Sequence, residues 1–302
     1  MKLLLTGAVS YSTVQIDTLR DMGHEILYIQ DERIPLIEQG IDPASVEVTV
    51  CNGLFLYNDF SLFENLRYVQ LTSAGFDRVP LEEMQKRGIV VNNARGVYSA
   101  PMAEFALCGV LQLYKQAAVF ADNQRKHCWE KVRNLQELTD KTVCVVGCGS
   151  VGQACAKRFA AFECNVIGVD IVSADVPYFE KVYLLDELKG ALEKSDVVVL
   201  TLPLTEKTRG LFNYENLMCC KKGAVLVNIA RGAVVVEQDL IQALQEKRLG
   251  GAVLDVFETE PLLSESPLWD MGNVIITPHN SFVGNRSNIR LFETIVGFLK
   301  RC

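Results

Sequence analysis

Short apolar runs rich in β-branched residues alternate along this chain with stretches whose apolar positions recur every three or four residues, a pattern of strands alternating with helices. The series runs twice. The first places strands at Leu3–Thr6, Glu25–Ile29, Val46–Val50, Tyr68–Leu71 and Ile89–Asn92, with helices around Val14–Met22 and Leu81–Arg87. The second places strands at Val143–Gly147, Val166–Asp170, Val197–Thr201, Ala224–Asn228, Gly251–Asp255 and Val274–Thr277. Such alternation predicts the α/β class with parallel sheets. Between the two series a helical pattern runs from about Ser99 to Asn123, with Pro101 in the first turn, where proline is tolerated, and Met102, Phe105, Ala106, Gly109, Val110 and Leu113 on one face. A helix of that length is expected to cross from one domain to the next. A last helical pattern, Arg286–Leu299, belongs to neither series and is expected to pack back on the first. The reading is two domains: 1–98 plus 280–302 for substrate, and 99–279 for a dinucleotide.

A chain of 302 residues is long enough for two cores, which agrees with this division. The net charge of −7 argues against a nucleic-acid partner, which needs a basic face. No apolar run approaches the roughly 20 residues that span a bilayer. The run Met1–Leu5 is short for a signal peptide and reads as a buried first strand. Of ten cysteines, Cys51, Cys108, Cys144, Cys155 and Cys164 lie in apolar segments, where the residue acts as a small hydrophobe. Cys144 and Cys148 have no second pair at ligand spacing, so no metal is expected; Cys219-Cys220 is a candidate for redox sensing, against the plainer reading of reduced thiols in a cytoplasm.

Candidate chemistry begins after Val143–Val146, where Gly147-Cys148-Gly149-Ser150-Val151-Gly152 carries Gly-x-Gly-x-x-Gly from a strand into a helix. Gly147 suits the tight turn, Gly149 the approach of a pyrophosphate, and Gly152 close packing of helix on strand. Ser150 and Val151 then stand at a helix N-terminus, whose N–H groups and dipole favour phosphate. Asp170, ending the next strand about 20 residues on, suits the adenosine ribose and opposes a 2′-phosphate, so NAD is expected over NADP.

Three further strand ends carry reactive side chains: Asn228-Ile229-Ala230-Arg231-Gly232, Asp255-Val256-Phe257-Glu258-Thr259-Glu260-Pro261 and Thr277-Pro278-His279-Asn280. Ligands collect at the carboxyl ends of strands in such sheets. Together with Ser73-Ala74-Gly75-Phe76-Asp77, Asn92-Asn93-Ala94-Arg95-Gly96, Ala103-Glu104 and Leu202-Pro203-Leu204-Thr205, the chain resembles the D-isomer-specific 2-hydroxyacid dehydrogenase family over essentially its whole length. The resemblance implies two Rossmann-like domains, a flavodoxin-like one for substrate and a Rossmann one for NAD. It implies that Arg231 holds the substrate carboxylate and polarises the keto oxygen, that His279 is the acid–base group, and that Glu260 orients the imidazole. It further assigns Thr201, Leu202, Pro203, Ala230 and Asp255 to the cofactor, Asp255 at the nicotinamide carboxamide, and Ser73, Ala74 and Gly75 to the substrate carboxylate. Arg95 either faces a second anionic group or pairs with Asp77.

Each of these residues also has a plainer reading: an arginine after a strand is commonly solvated, and a glutamate before proline shapes turns. His24 and His127 read as surface residues, which leaves His279. The polar segment Arg125–Glu130 with Trp129 reads as the arm of a homodimer. The chain departs from the resemblance at Asn280–Arg286, the stretch expected to close the substrate end, so the particular 2-keto acid stays open. It ends at Cys302 without the regulatory extension of some phosphoglycerate dehydrogenases, and serine control is not expected. The alternative function is an NAD(H)-sensing, corepressor-like interaction protein; no long disordered tail or basic surface favours it.

Overall fold

The computed structural model describes residues 1–302, which divide into two compact units, Met1–Tyr98 with Gly284–Cys302, and Ser99–Val283. In the first unit, β1 (Lys2–Thr6), β2 (Glu25–Ile29), β3 (Val48–Cys51), β4 (Tyr68–Leu71) and β5 (Val90–Asn92) form a parallel sheet in the order β2-β1-β3-β4-β5. This is the flavodoxin-like order. The helices are α1 (Thr13–Asp21), α2 (Leu54–Tyr57) and α3 (Leu81–Lys86). Successive side chains of a strand face opposite ways, so β1 sends Leu3 and Leu5 to one core and Leu4 to the other. A strand covered on both faces is apolar throughout, which is why its sequence shows no alternation. The last helix, Ser287–Leu299, sets Leu291, Ile295 and Leu299 on the face that holds Leu3 and Leu5.

The second unit begins with α4 (Ser99–Tyr114) and α5 (Ala117–Arg125). Then follow β6 (Thr142–Val146), α6 (Ser150–Ala160), β7 (Asn165–Asp170), β8 (Lys181–Leu184), α7 (Leu188–Leu192), β9 (Val197–Leu200), α8 (Tyr214–Cys219), β10 (Ala224–Asn228), α9 (Glu237–Gln245), β11 (Leu249–Leu254) and β12 (Val274–Ile276). The seven strands are parallel in the order β12-β11-β10-β9-β6-β7-β8, a Rossmann sheet with one strand added at the β12 edge. Val143, Val145, Val197 and Val199 fill the core on one face, and Cys144, Val146, Val198 and Leu200 that on the other. No helix is long and apolar enough to cross a membrane.

Several expectations are corrected. The helix expected over 99–123 is two helices, because the Tyr114 carbonyl accepts the Gln136 N–H and Gln116 turns left-handed at φ 51°. The edge strand β8 lies outside the predicted series, because only Val182 of its four residues is buried and no apolar run marks it. Residues 280–283 belong to the second unit, because Asn280 and Ser281 donate their backbone N–H groups to Asp255. His24 is buried: the turn at Gly23 (φ 86°) tucks it in as Glu25 bonds the Met1 carbonyl. Burial, then the nearby N-terminal amine, lowers its pKa. Cys108 is exposed rather than buried. Cys220 is fully buried, and burial pushes its thiol up to about 12, while Cys219 beside it is half-buried.

Candidate active site

All the candidate segments of the second unit leave the carboxyl ends of its strands. After β6, Gly147 turns at φ 99°, and a Cβ there would lie 2.8 Å from the Leu202 nitrogen; one on Gly152 would lie 2.0 Å from the Gly147 carbonyl oxygen. Neither position admits a side chain. Gly149 is different, with nothing within 4 Å of where its Cβ would stand, and it precedes α6 without any side-chain cap. The open side of this loop is therefore a helix N-terminus with its dipole exposed, which fits a dinucleotide pyrophosphate. Asp170 borders it: one carboxylate oxygen accepts the Cys148 N–H at 2.6 Å and the other that of Ile171 at 2.7 Å. Thr201 donates its hydroxyl to the Gly147 carbonyl at 2.6 Å and so braces the turn from β9. Leu202 is buried and Pro203 exposed beside it.

After β10 the chain makes an Asx turn. Asn228 accepts the Ala230 N–H at 3.1 Å and donates to the Arg231 carbonyl at 3.1 Å. The Arg231 guanidinium bonds the Ala230 carbonyl at 2.8 Å and has no carboxylate partner, which leaves its charge for a ligand. Gly232 presses on the next segment, for its Cβ would stand 1.9 Å from the Phe257 carbonyl carbon. The Arg231 turn and the loop leading to Glu260 are thus packed backbone against backbone.

After β11, Asp255 is fully buried. Its Oδ1 accepts the Thr277 hydroxyl at 2.6 Å and the Asn280 N–H at 2.7 Å, and its Oδ2 accepts the Ser281 N–H at 2.9 Å. Both carboxylate oxygens of Asp255 thus shape the 277–281 loop. The Asp255 carbonyl also takes the His279 N–H at 2.8 Å, so His279 is held left-handed at φ 51°, a conformation uncommon outside glycine. Its Nδ1 lies 2.9 Å from Glu260 Oε2, both side chains part-exposed, and the Phe282 ring meets the imidazole edge-on at 6.1 Å. With Nδ1 donating to the carboxylate, Nε2 is the nitrogen left to exchange a proton with a ligand.

In the first unit, the loop after β4 is tied to the loop after β5. Ser73 donates its hydroxyl to the Gly75 carbonyl at 3.0 Å, and Asn93 donates to the Ala74 carbonyl at 2.7 Å. Arg95 is exposed, and no ion pair joins it to Asp77.

Residues 107–281 match the sequence model described as "D-isomer specific 2-hydroxyacid dehydrogenase, NAD binding domain". The chain belongs to the D-isomer specific 2-hydroxyacid dehydrogenase family. It is 39% identical over 226 residues to a glyoxylate reductase of Thermofilum pendens, covering 71% of this chain and 65% of that protein. With a D-3-phosphoglycerate dehydrogenase of Methanocaldococcus jannaschii it shares 34% over 281 residues, 92% of this chain and 53% of the other. The chain thus spans between half and two-thirds of these two relatives. Among solved structures, a D-isomer specific 2-hydroxyacid dehydrogenase from Xanthobacter autotrophicus in complex with NADPH and MES superposes with a TM-score of 0.80 at 30% identity, covering 99% of this chain and 94% of that one.

As a member of this family the chain carries an NAD-binding domain, and its glycine loop is built for a nicotinamide dinucleotide. Asn228, Gly232 and Thr277 lie in the segments that the sequence singles out, but it gives none of them a role. The first had a signal, an asparagine two residues before the turn it caps. The other two act across segments far apart in sequence, and no local pattern reveals them.

Proposed function

We propose that this protein interconverts a small 2-keto acid and its (R)-2-hydroxy acid with NAD(H). The observation that carries the reading is the Glu260–His279 pair at 2.9 Å, in one unit with an arginine that lacks a carboxylate partner. Arg231 binds the substrate carboxylate through paired guanidinium N–H groups and polarises the keto oxygen. His279 protonates that oxygen from Nε2 during reduction and takes the proton back during oxidation. Glu260 keeps the ring oriented through Nδ1. Bound along the glycine loop, the reduced nicotinamide supplies the hydride that arrives at C2. Arg95 is assigned to a second anionic group of the substrate.

NAD is the proposed cofactor in preference to NADP. Asp170 puts a carboxylate at the ribose end of the loop, and the next two residues, Ile171 and Val172, are exposed and apolar, with no cation to receive a 2′-phosphate. The experiment is oxidation of NADH, and separately NADPH, against glyoxylate, hydroxypyruvate, pyruvate, 2-ketobutyrate, phenylpyruvate, 2-ketoglutarate and phosphohydroxypyruvate. Turnover of at least one with NADH, at a kcat/KM at least roughly tenfold above that with NADPH, is expected, since one like-charge contact of about 1.4 kcal/mol gives that ratio. A preference for the doubly anionic substrates supports the role of Arg95. Bound NADH with no turnover of any 2-keto acid removes the reaction class.

The arm is proposed to join two copies of the chain. Residues 128–138 have no helix or strand, Trp129 is 95% exposed, and the arm and α5 border an open hollow lined by Phe120, His127, Trp129 and Val132. Exposed aromatics of this kind anchor interfaces. Sedimentation at micromolar concentration is expected to give twice the 33.6 kDa chain mass, and Trp129→Glu to shift it toward the single chain. A wild-type monomer refutes the arm. The ten unpaired cysteines suit a reducing compartment, and a cytoplasmic location is proposed with it.

A further inference from the structure

The Glu260 carboxylate is held at both oxygens. Oε2 faces His279 Nδ1 at 2.9 Å, while Oε1 accepts the Phe257 N–H at 3.1 Å. Its aim at the imidazole therefore depends on where the Phe257 amide stands. Val256 and Phe257 are buried, and Gly232 packs against the Phe257 carbonyl on one side. The next residue, Glu258, is exposed, yet its carboxylate is engaged: Oε1 accepts the backbone N–H of Glu237 at 3.4 Å.

Glu237 is the first residue of α9, and the residue before it, Val236, has no side-chain oxygen to cap the helix. Glu258 thus offers, from another loop, an acceptor to the first N–H of α9, one of the helix-end donors that lack an intrahelical partner. The positive end of the α9 dipole favours its negative charge there. The Glu237 carboxylate opposes it: burial first, and then the like charge of Glu258, raise the Glu237 pKa, and neither residue takes part in an ion pair.

We infer that Glu258 is a positioning residue, anchored on α9, that fixes the loop aiming Glu260 at His279. The inference rests on the acid–base reading of that pair. Glu258 touches neither His279 nor Glu260 in this chain of contacts; it acts through the Phe257 amide.

The test follows the ring nitrogens of His279 by nitrogen NMR at one fixed pH, where the Nδ1 shift reports its hydrogen bond to Glu260 and no substrate is needed; with only three histidines, its signal is assigned by its loss in His279→Asn. Glu260→Gln, the reference, is expected to move the Nδ1 signal most. Glu258→Ala is expected to move it part of the way in the same direction, because the Nδ1–Oε2 contact loosens when the Phe257 amide shifts. Glu258→Gln removes the charge but keeps the acceptor, and is expected to stay much nearer wild type. In turnover, Glu258→Ala is expected to lower kcat roughly three- to tenfold, with KM and NADH affinity unchanged. Equal displacements in the Ala and Gln variants mean a purely coulombic effect and overturn the inference, as does an unmoved signal in Glu258→Ala. If Glu260→Gln also leaves the signal in place, the acid–base pair itself fails; if it alone moves the signal, only the positioning role fails.

Discussion

His279→Asn is expected to lower kcat/KM for 2-keto acid reduction by roughly 10³-fold, within the span of positioned acid–base catalysis, while NADH affinity stays within about twofold. Asparagine is the informative replacement for three reasons. It accepts the left-handed backbone at φ 51° better than most residues, so the loop keeps its path. Its amide nitrogen stands where Nδ1 stood and still donates to Glu260 Oε2. What it lacks is the distal ring nitrogen, so the loss measures proton transfer rather than a collapsed loop. The glycine loop after β6 is untouched, because its packing partners are Leu202, Thr201 and its own backbone. Steady-state kinetics on the best substrate of the panel, with NADH fluorescence titration beside it, gives both numbers. Wild-type turnover in this variant removes His279 from the mechanism.

Asp255→Asn is expected to be the most damaging single-atom change in the site. An amide has one acceptor where the carboxylate has two, so either Asn280 or Ser281 is left with a buried N–H facing another donor. Losing charge-assisted bonds and stranding one N–H costs about 2–3 kcal/mol. For a unit of this size that is a fall in Tm of roughly 5–10 °C. The loop that holds His279 left-handed then relaxes, since such a conformation persists only where the surroundings over-determine it. A displacement near 1 Å at the reacting group costs on the order of 10²-fold in kcat. Thermal melts and kinetics together decide the matter. A variant that melts like wild type and loses only NADH affinity assigns Asp255 to the cofactor and not to the loop.

The two residues differ in how far the amino-acid order alone reveals them. His279 stands out before folding is considered: it is one of three histidines and follows Thr-Pro at the end of an apolar run. Asp255 is equally visible as a strand-end carboxylate, but what it bonds is not, because Thr277, Asn280 and Ser281 lie more than 20 residues away along the chain.

The chain order by itself determined the α/β class, both series of parallel strands, the glycine loop with Asp170, and the strand ends that bear Arg231, Glu260 and His279. These rest on period, on residue type and on short spacings, which the local backbone obeys wherever the segment ends up. Only the tertiary structure decided that the helix after Tyr98 breaks at Gln116, that His24 and Cys220 are buried, that Asp255 serves the His279 loop, and that Gly232 and Glu258 hold the segment carrying Glu260. The contacts of Asp255, Gly232 and Glu258 depend on partners brought near by the sheet order β12-β11-β10, and a contact between distant segments leaves no periodic trace in either one.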